Sequence, residues 1–451
     1  MKHENMKNND LTDGSILGNI MTFALPYVLA YFLQILYGLA DLFVIGQFCG
    51  VDSTTAVSNG AQVMYLVTCV TIGLAMGTTV TTAHAVGAKD HRRTSLVVGN
   101  TVTLFLGLAF LMSVVLLVAR EGIVTMIGVP PEAAADTIDY LTVCFAGLPF
   151  IMAYNIIASV FRGLGDSRSP MVFVAVACVV NILLDYLFIG GLGWGATGAA
   201  LGTTLSQMAS VCFALFAIRR HRHVFDVSRD DLRLRRPVVS NILKVGIPIA
   251  MQDGFIQVSF ILITIIANGR GVYDAASVGI VEKFIGLVFI VPSAMLSSVS
   301  AIASQNIGAG RLPRARRTMW YAMAVTTAYG LLVATLLQYI PDMAVGLFTD
   351  DPHVIGMGSD YLRGYAWDCV FAGIHFCFSG FFTACGYSIL SFVHNFISIV
   401  CARVPLVYLA SEMYPDTLFP MGLATCTGSV LSCLICVMAY RWLRAHMKCR
   451  L

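Results

Sequence analysis

ILGNIMTFALPYVLAYFLQILYGLADLFVI, residues 16–45, runs for thirty positions with one charged side chain, Asp41. A helix crossing the ~30 Å hydrocarbon core of a bilayer needs about 20 apolar residues. This run is therefore long enough to span, and it is far too long for the apolar region of a signal peptide. No small-residue cleavage pattern follows it, so it reads as a retained first helix. The rest of the chain has the same character: of 451 residues 57% are hydrophobic and 12% charged. Soluble domains carry about 25% charged residues, so this composition belongs to lipid.

Reading the apolar runs between charged or Gly/Pro-marked breaks predicts twelve spans: 16–46, 58–84, 95–119, 137–161, 170–190, 197–218, 241–268, 276–304, 318–340, 358–384, 388–410 and 418–442. The basic residues give a second reading. With a cytoplasmic N-terminus, one side receives Lys89, Arg92 and Arg93, then Arg162 and Arg168, the stretch Arg219 to Lys244, and Arg311, Arg314, Arg316 and Arg317. Arg441, Arg444, Lys448 and Arg450 fall on that side too, while the opposite connections hold little beyond Arg120 and Arg270. Cytoplasmic loops carry the excess of Lys and Arg, so both termini are expected in the cytoplasm of a multi-pass protein of the cell membrane.

The chain repeats itself at an offset of about 221 residues. Asn19-Ile20 and Leu25-Pro26 return as Asn241-Ile242 and Ile247-Pro248; Gly87-Ala88 returns as Gly308-Ala309, and Tyr140-Leu141 as Tyr361-Leu362. Six crossings return the chain to its starting side, so the copies run parallel, one of the recurring architectures of secondary transporters. The expected fold is an all-α integral membrane protein of twelve transmembrane helices in two parallel-repeat six-helix bundles. The expected boundaries are 1–218, a basic cytoplasmic linker at 219–240, and 241–451. No phosphate-binding G-x-x-x-x-G-K-[ST] loop occurs, so nucleotide hydrolysis by that route is excluded. No nucleophile or metal constellation marks an enzyme. The thirteen cysteines lie mostly in apolar runs, and the pair Cys433 and Cys436 has no second pair near it. They read as small membrane-compatible side chains.

A charge at mid-bilayer costs roughly 2.5–3.5 kcal/mol on insertion scales, which makes intramembrane acids functional candidates. In the first half these are Asp41 and Asp185, each five residues before a glycine, with Tyr37 and Asn181 four residues earlier on the same helix faces. Two converging carboxylates cannot both stay charged in low dielectric without a cation or a proton. Asn181 and Thr203 would add hard oxygen ligands. The alternative is that each Asp is a structural hydrogen-bonding residue near the outer interface. In the second half Ile263 and Leu406 stand at the matching positions, and the ionisable residues are instead Asp253, Glu282, Lys283, Arg363, Asp368 and Arg403. The last five are expected to form salt bridges or substrate contacts; Asp253, nearer the cytoplasm, is expected to face the cavity or sit near the interface. Pro26 and Pro248, inside the first helix of each half, favour kinks. His84, His375 and His394 are isolated in sequence.

The motifs Pro26…Tyr37-x-x-x-Asp41…Gly46, Gly87-Ala-Lys-Asp90, Arg162-Gly-Leu-Gly-Asp166, Asn181-x-x-x-Asp185, Gly198-Ala-Ala-Leu-Gly-Thr203 and Gln305-Asn306-x-Gly308-Ala309 occur in this order. In this combination the whole chain resembles the multidrug and toxic compound extrusion (MATE) family, in the DinF-like or related Gram-positive drug-exporter pattern. The resemblance implies two six-helix bundles around a V-shaped cavity, with export driven by Na⁺ or H⁺ and no other cofactor. It places a cation site at Asp41, Asn181, Asp185 and Thr203, with Tyr37, Tyr140 and Asn155 as the surrounding polar residues. It also implies amphipathic, often cationic organic substrates, no nucleic acid, and a monomer in the bilayer. Family members of the NorM type use acids on helices seven and ten, where Asp253 and Asp368 stand here. The competing expectation is a flippase for lipids or lipid-linked oligosaccharides from the same wider superfamily, in which Lys283, Arg363 and Arg403 would hold a pyrophosphate.

Overall fold

The computed structural model describes residues 10–220 and 227–446, and among them every regular element is a helix. The middle of the expected linker, 221–226, and the C-terminal Lys448 and Arg450 lie outside the described residues.

In the first half the helices are α1 (Ile16–Phe48), α2 (Val51–Gly87), α3 (His91–Met126), α4 (Pro131–Gly163), α5 (Arg168–Gly191) and α6 (Gly195–Arg220). In the second half α7 is Arg236–Arg270, α8 Val272–Gly308 and α9 Leu312–Tyr339. Then α10 comes in two pieces, Pro352–Tyr365 and Asp368–Ala384, followed by α11 (Ser388–Met413) and α12 (Phe419–His446). Eleven of these are long and apolar enough to cross a membrane, and the apolar piece of α10 is the shorter exception. The twelve-helix reading holds. The helices overrun the apolar windows, by seven residues at the start of α2, because helical hydrogen bonding continues into polar ends that water can solvate. Pro26 and Pro248 both lie inside continuous helices.

The chain divides into two compact units, and the division does not follow the helix ends. Among the described residues, one unit takes those of Leu25–Leu243; the other takes Asp10–Ala24 with those from Lys244 to His446. The boundary in α1 thus falls one residue before Pro26.

In the first unit α4 is the central helix. Its Tyr140, Leu141, Cys144, Phe145, Leu148 and Met152 are buried together with Val57 of α2 and Phe105 of α3. Glycines set how closely its neighbours approach. A methyl group on Gly60 would run into the Tyr140 ring, and one on Gly147 into the Thr204 side chain. In the second unit α10 plays the same part, with Tyr361, Leu362, Tyr365 and Cys369 buried against Val281 and Ile285 of α8 and Met421 of α12. The outward faces are apolar as well: Phe110, Leu111, Val114 and Val118 of α3 are all exposed. Large exposed apolar surface of this kind suits lipid.

Each unit also holds a short docked segment. In the first unit a 3₁₀ turn, Arg229–Leu232, is closed by a capping box between Ser228 and Asp231. Asp231 pairs with Arg92 Nη1 at 2.5 Å, its carbonyl accepts from Asn100 Nδ2 at 3.0 Å, and Thr103 Oγ1 donates to the Leu232 carbonyl at 2.7 Å. A side chain at Gly99 would strike the Asp231 backbone, so glycine permits the seat. Ser228, donating through its hydroxyl and backbone N–H, and then Arg92 hold the Asp231 carboxyl below its ordinary pKa. In the second unit, residues 11–14 dock beside the end of α8. Gln305 and Asn306 take up the Leu11 backbone, Arg311 donates to the Thr12 carbonyl at 2.7 Å and pairs with Asp13, and Arg314 donates to the Asp13 and Gly14 carbonyls at 2.9 Å.

Candidate functional site

Asp41 is carried by α1 and Asp185 by α5, and the fold brings them together as neighbours with Asn181 and Thr203. Asp185 and Asn181 are fully buried, and Asp41 is 6% exposed. Thr203 Oγ1 of α6 donates to Asp41 Oδ2 at 3.2 Å. The other three carboxylate oxygens and both polar atoms of the Asn181 amide lie close to one another but make no hydrogen bond of regular geometry. Buried polar atoms are normally satisfied, so this cluster is an exception that calls for a function.

Two features of the local backbone build the cluster. Asp185 ends the regular part of α5, and a π-helical turn, Tyr186–Gly191, follows it directly. Such bulges recur at functional sites because they re-aim side chains within a helix. The second feature is Gly202. A methyl group there would overlap Asp185 Oδ1 and sit 3.6 Å from Asn181 Nδ2, so α6 reaches the carboxylate only because position 202 lacks one.

Around this centre Tyr37 lies beside Asp41 and Gln207, and Tyr140 is buried near Cys144, Asp41 and Tyr37. Asn155 is buried too, but its amide donates to the Ile151 carbonyl of its own helix at 2.9 Å. Gly202 entered the sequence reading only as part of the motif Gly198–Thr203, and Cys144 and Gln207 not at all. Cys144 stands one turn after Tyr140, and Gln207 one turn after Thr203, which is the spacing that shares a helix face.

The donor set consists of two carboxylates, an amide oxygen and a hydroxyl. Among the described residues no group of three His, Cys, Asp or Glu side chains converges on a metal position. Hard oxygen donors of this kind can hold a cation, and two adjacent carboxylates can instead share a proton.

The second-half residues do not form one cluster. Arg403 is nearly buried, its Nη2 donating to Tyr365 Oη at 2.5 Å, with the guanidinium 5.2 Å from the Phe260 ring centre. Asp368, Glu282 and Tyr361 are its other electrostatic neighbours. Glu282 accepts from Thr264 Oγ1 at 3.2 Å, while Asp368 lies beside Ser429 and Arg403 without a hydrogen bond of regular geometry. Arg403 closes a π-helical turn, Ile399–Arg403, in α11, and Gly428 of α12 leaves room for its side chain. Lys283 is exposed, Arg363 pairs with Asp360 at 4.0 Å, and the half-buried Asp253 shares no hydrogen bond or ion pair with the others among the described residues. Two histidines isolated in sequence do meet: His394 bonds Ser379 at 2.7 Å and Ser432 at 3.1 Å, with its ring centre 5.6 Å from that of His375.

The MatE family profile matches the chain twice, over residues 26–187 and 248–409, in step with the internal repeat. A probable multidrug resistance protein of Bacillus subtilis, YpnP, is 27% identical over 407 residues, covering 90% of this chain and 91% of the relative. The multidrug export protein MepA of Staphylococcus aureus is 24% identical over 372 residues, covering 81% of each. Among solved structures, an outward-facing multidrug resistance MATE transporter superposes with a TM-score of 0.91 at 22% identity, covering 97% of this chain and 99% of the other. A transporter of the MOP superfamily from Pyrococcus furiosus gives 0.88 at 21% identity and 97% coverage of both. With the profile matching most of its length in two copies, the chain belongs to the MatE family, whose members are membrane transporters and not enzymes.

Proposed function

We propose that this chain exports amphipathic, cationic organic compounds across the cell membrane, in exchange for Na⁺ or H⁺ taken up by Asp41 and Asp185. The observation that carries the reading is the buried pair itself: two adjacent carboxylates in an apolar span, with three of their oxygens making no hydrogen bond of regular geometry. One partner-less buried charge is strongly destabilising, and two side by side also repel each other. The pair therefore favours a state in which it holds a proton or a monovalent cation. Asn181 and Thr203 supply the remaining oxygens, and Gly202 lets α6 close on the pair. The names of relatives such as YpnP and MepA support drugs as the cargo.

Coupling requires that Asp41 and Asp185 bind the cation with different affinity in two conformations of the protein, since a ligand shifts an equilibrium only by that difference. One charge moved across 100 mV supplies about 2.3 kcal/mol, roughly a fiftyfold gradient. Both termini in the cytoplasm is the arrangement that the charge distribution favours. The flippase alternative needs three cations to converge. Here Arg403 is buried under Tyr365 and Phe260, Lys283 is exposed and Arg363 pairs with Asp360, which removes the main support for it.

The test is ethidium retention in drug-pump-deficient cells expressing the wild type, Asp41→Asn or Asp185→Asn at matched levels. Lower retention with the wild type alone supports the reading, and separate Na⁺ and H⁺ gradients in proteoliposomes then identify the ion. Full gradient-driven export by Asp41→Asn overturns the coupling assignment.

A further inference from the structure

Where the docked connector returns to the membrane, the first unit has an open pocket of about 410 Å³ between the start of α3 and the start of α7. Its rim carries Arg92, Arg93 and Arg235, and its wall carries Leu96, Pro237 and Val238. The acids close to it are already engaged. Asp90 is the N-cap of α3 and accepts from the Arg93 backbone N–H at 2.9 Å, and Asp231 is held by Ser228 and Arg92. Arg92 gives Asp231 one nitrogen and stays 62% exposed, while the Arg93 and Arg235 side chains have no acidic partner among the described residues. The pocket thus has a surplus of guanidinium groups over a partly apolar wall.

Its depth follows from the helices that build it. Arg93 stands in the first turn of α3, and Arg235 directly precedes α7. Both positions are span ends, where phosphate headgroups meet water. A guanidinium fork matches phosphate oxygens bidentately, and basic pockets between transmembrane helices on the cytoplasmic side suit anionic headgroups. The connector is held by fixed hydrogen bonds to Asn100 and Thr103, so Arg235 is set in place before any ligand arrives.

We propose that this pocket binds the phosphate headgroup of an anionic phospholipid, with Arg93 and Arg235 gripping the phosphate, Arg92 supporting it and the Leu96–Val238 wall meeting the upper acyl chain. The site is separate from the Asp41–Asp185 pair, and its failure would leave the transport reading untouched.

The test is native mass spectrometry of the full-length protein titrated with phosphatidylglycerol, and with phosphatidylcholine for comparison. Each basic side chain near a membrane surface contributes about fivefold to anionic-lipid affinity, so Arg93→Gln/Arg235→Gln weakens phosphatidylglycerol binding about 25-fold. The Arg235 backbone N–H still donates to Asn100 in that variant, so the connector stays docked. Arg316→Gln/Arg317→Gln removes equal charge elsewhere and leaves the tight-binding lipid in place. Leu96→Trp, which keeps every charge but fills the wall, also weakens binding. Equal losses in the two charge variants would overturn the site, as would no loss with Leu96→Trp. Displacement of the lipid by millimolar inorganic phosphate would overturn the lipid as the occupant.

Discussion

Replacing Gly202 with alanine adds one methyl group to the face of α6 that touches Asp185. That carbon would overlap Asp185 Oδ1 and lie 3.4 Å from its Cγ and 3.6 Å from Asn181 Nδ2. Ordinary contact distances demand a shift of roughly 1 Å between the helix and the carboxylate. Overpacking of this kind costs about 1–3 kcal/mol, and alanine returns nearly 1 kcal/mol through helix propensity. The fold should therefore tolerate the change with a melting temperature lowered by only a few degrees. The site should not: a misplacement of about 1 Å costs up to about 100-fold where function rests on positioning. In proteoliposomes with an imposed Na⁺ or pH gradient, the initial rate of ethidium transport should fall 10- to 100-fold. The control is Gly107→Ala on the exposed face of α3, where a methyl group meets nothing within 4 Å and transport should be unchanged. A Gly202→Ala protein with wild-type rate and wild-type ion dependence would refute the claim that α6 must touch Asp185 through a bare backbone.

Thr203→Ala removes the one hydroxyl that donates to Asp41, so the apparent affinity for the coupling ion should shift about tenfold, and Thr203→Ser should restore it. A gradient titration unchanged in Thr203→Ala would remove the hydroxyl from the site. Arg403→Met leaves Asp368 and Glu282 without their cation and should destabilise the protein by about 3–5 kcal/mol, visible as lost expression or a collapsed melting transition. A well-folded, thermally unchanged variant would show that the two acids do not rely on Arg403. The docked connector gives a pH prediction. Asp231 titrates below the ordinary carboxylate value, so its contribution is present above about pH 4 and is lost as pH falls through its lowered folded value. Hydrogen exchange over 228–235 should stay slow from neutral pH to about pH 5, and opening between pH 5 and 7 would contradict the assignment.

The spans could be read from the sequence because lipid imposes a single demand, an apolar length, and eleven of the twelve helices meet it outright, α10 alone being shorter in its apolar piece. The discontinuities inside spans could not. The turn at Phe289 within α8 and the gap between Tyr365 and Asp368 in α10 fall inside single windows, where a running count of apolar residues does not register a short backbone break. Asp41 and Asp185 stood out because a charge in an apolar run has few bland explanations. Gly202, quoted within the Gly198–Thr203 motif but given no role there, and Cys144 and Gln207 did not, because their importance lies in what they stand next to. Spacing of one helical turn from residues already chosen would have reached the last two. The docked segments were invisible for a different reason: Leu11 meets Gln305 across 294 positions, and composition carries no trace of such a pairing. Arg311 and Arg314 had been counted only as topology-setting charge, yet in the fold they hold residues 12–14 by the backbone.

The division of the chain between its two units has a consequence for anyone cutting the gene. A break inside the connector would give two fragments of nearly equal length, but neither would be a self-sufficient half. The leading fragment would carry Asp10–Ala24, which completes the other unit, and a break before Arg235 would leave the trailing fragment with residues up to Leu243 that complete the first. Each fragment would thus be missing a piece it needs and bearing one it cannot use.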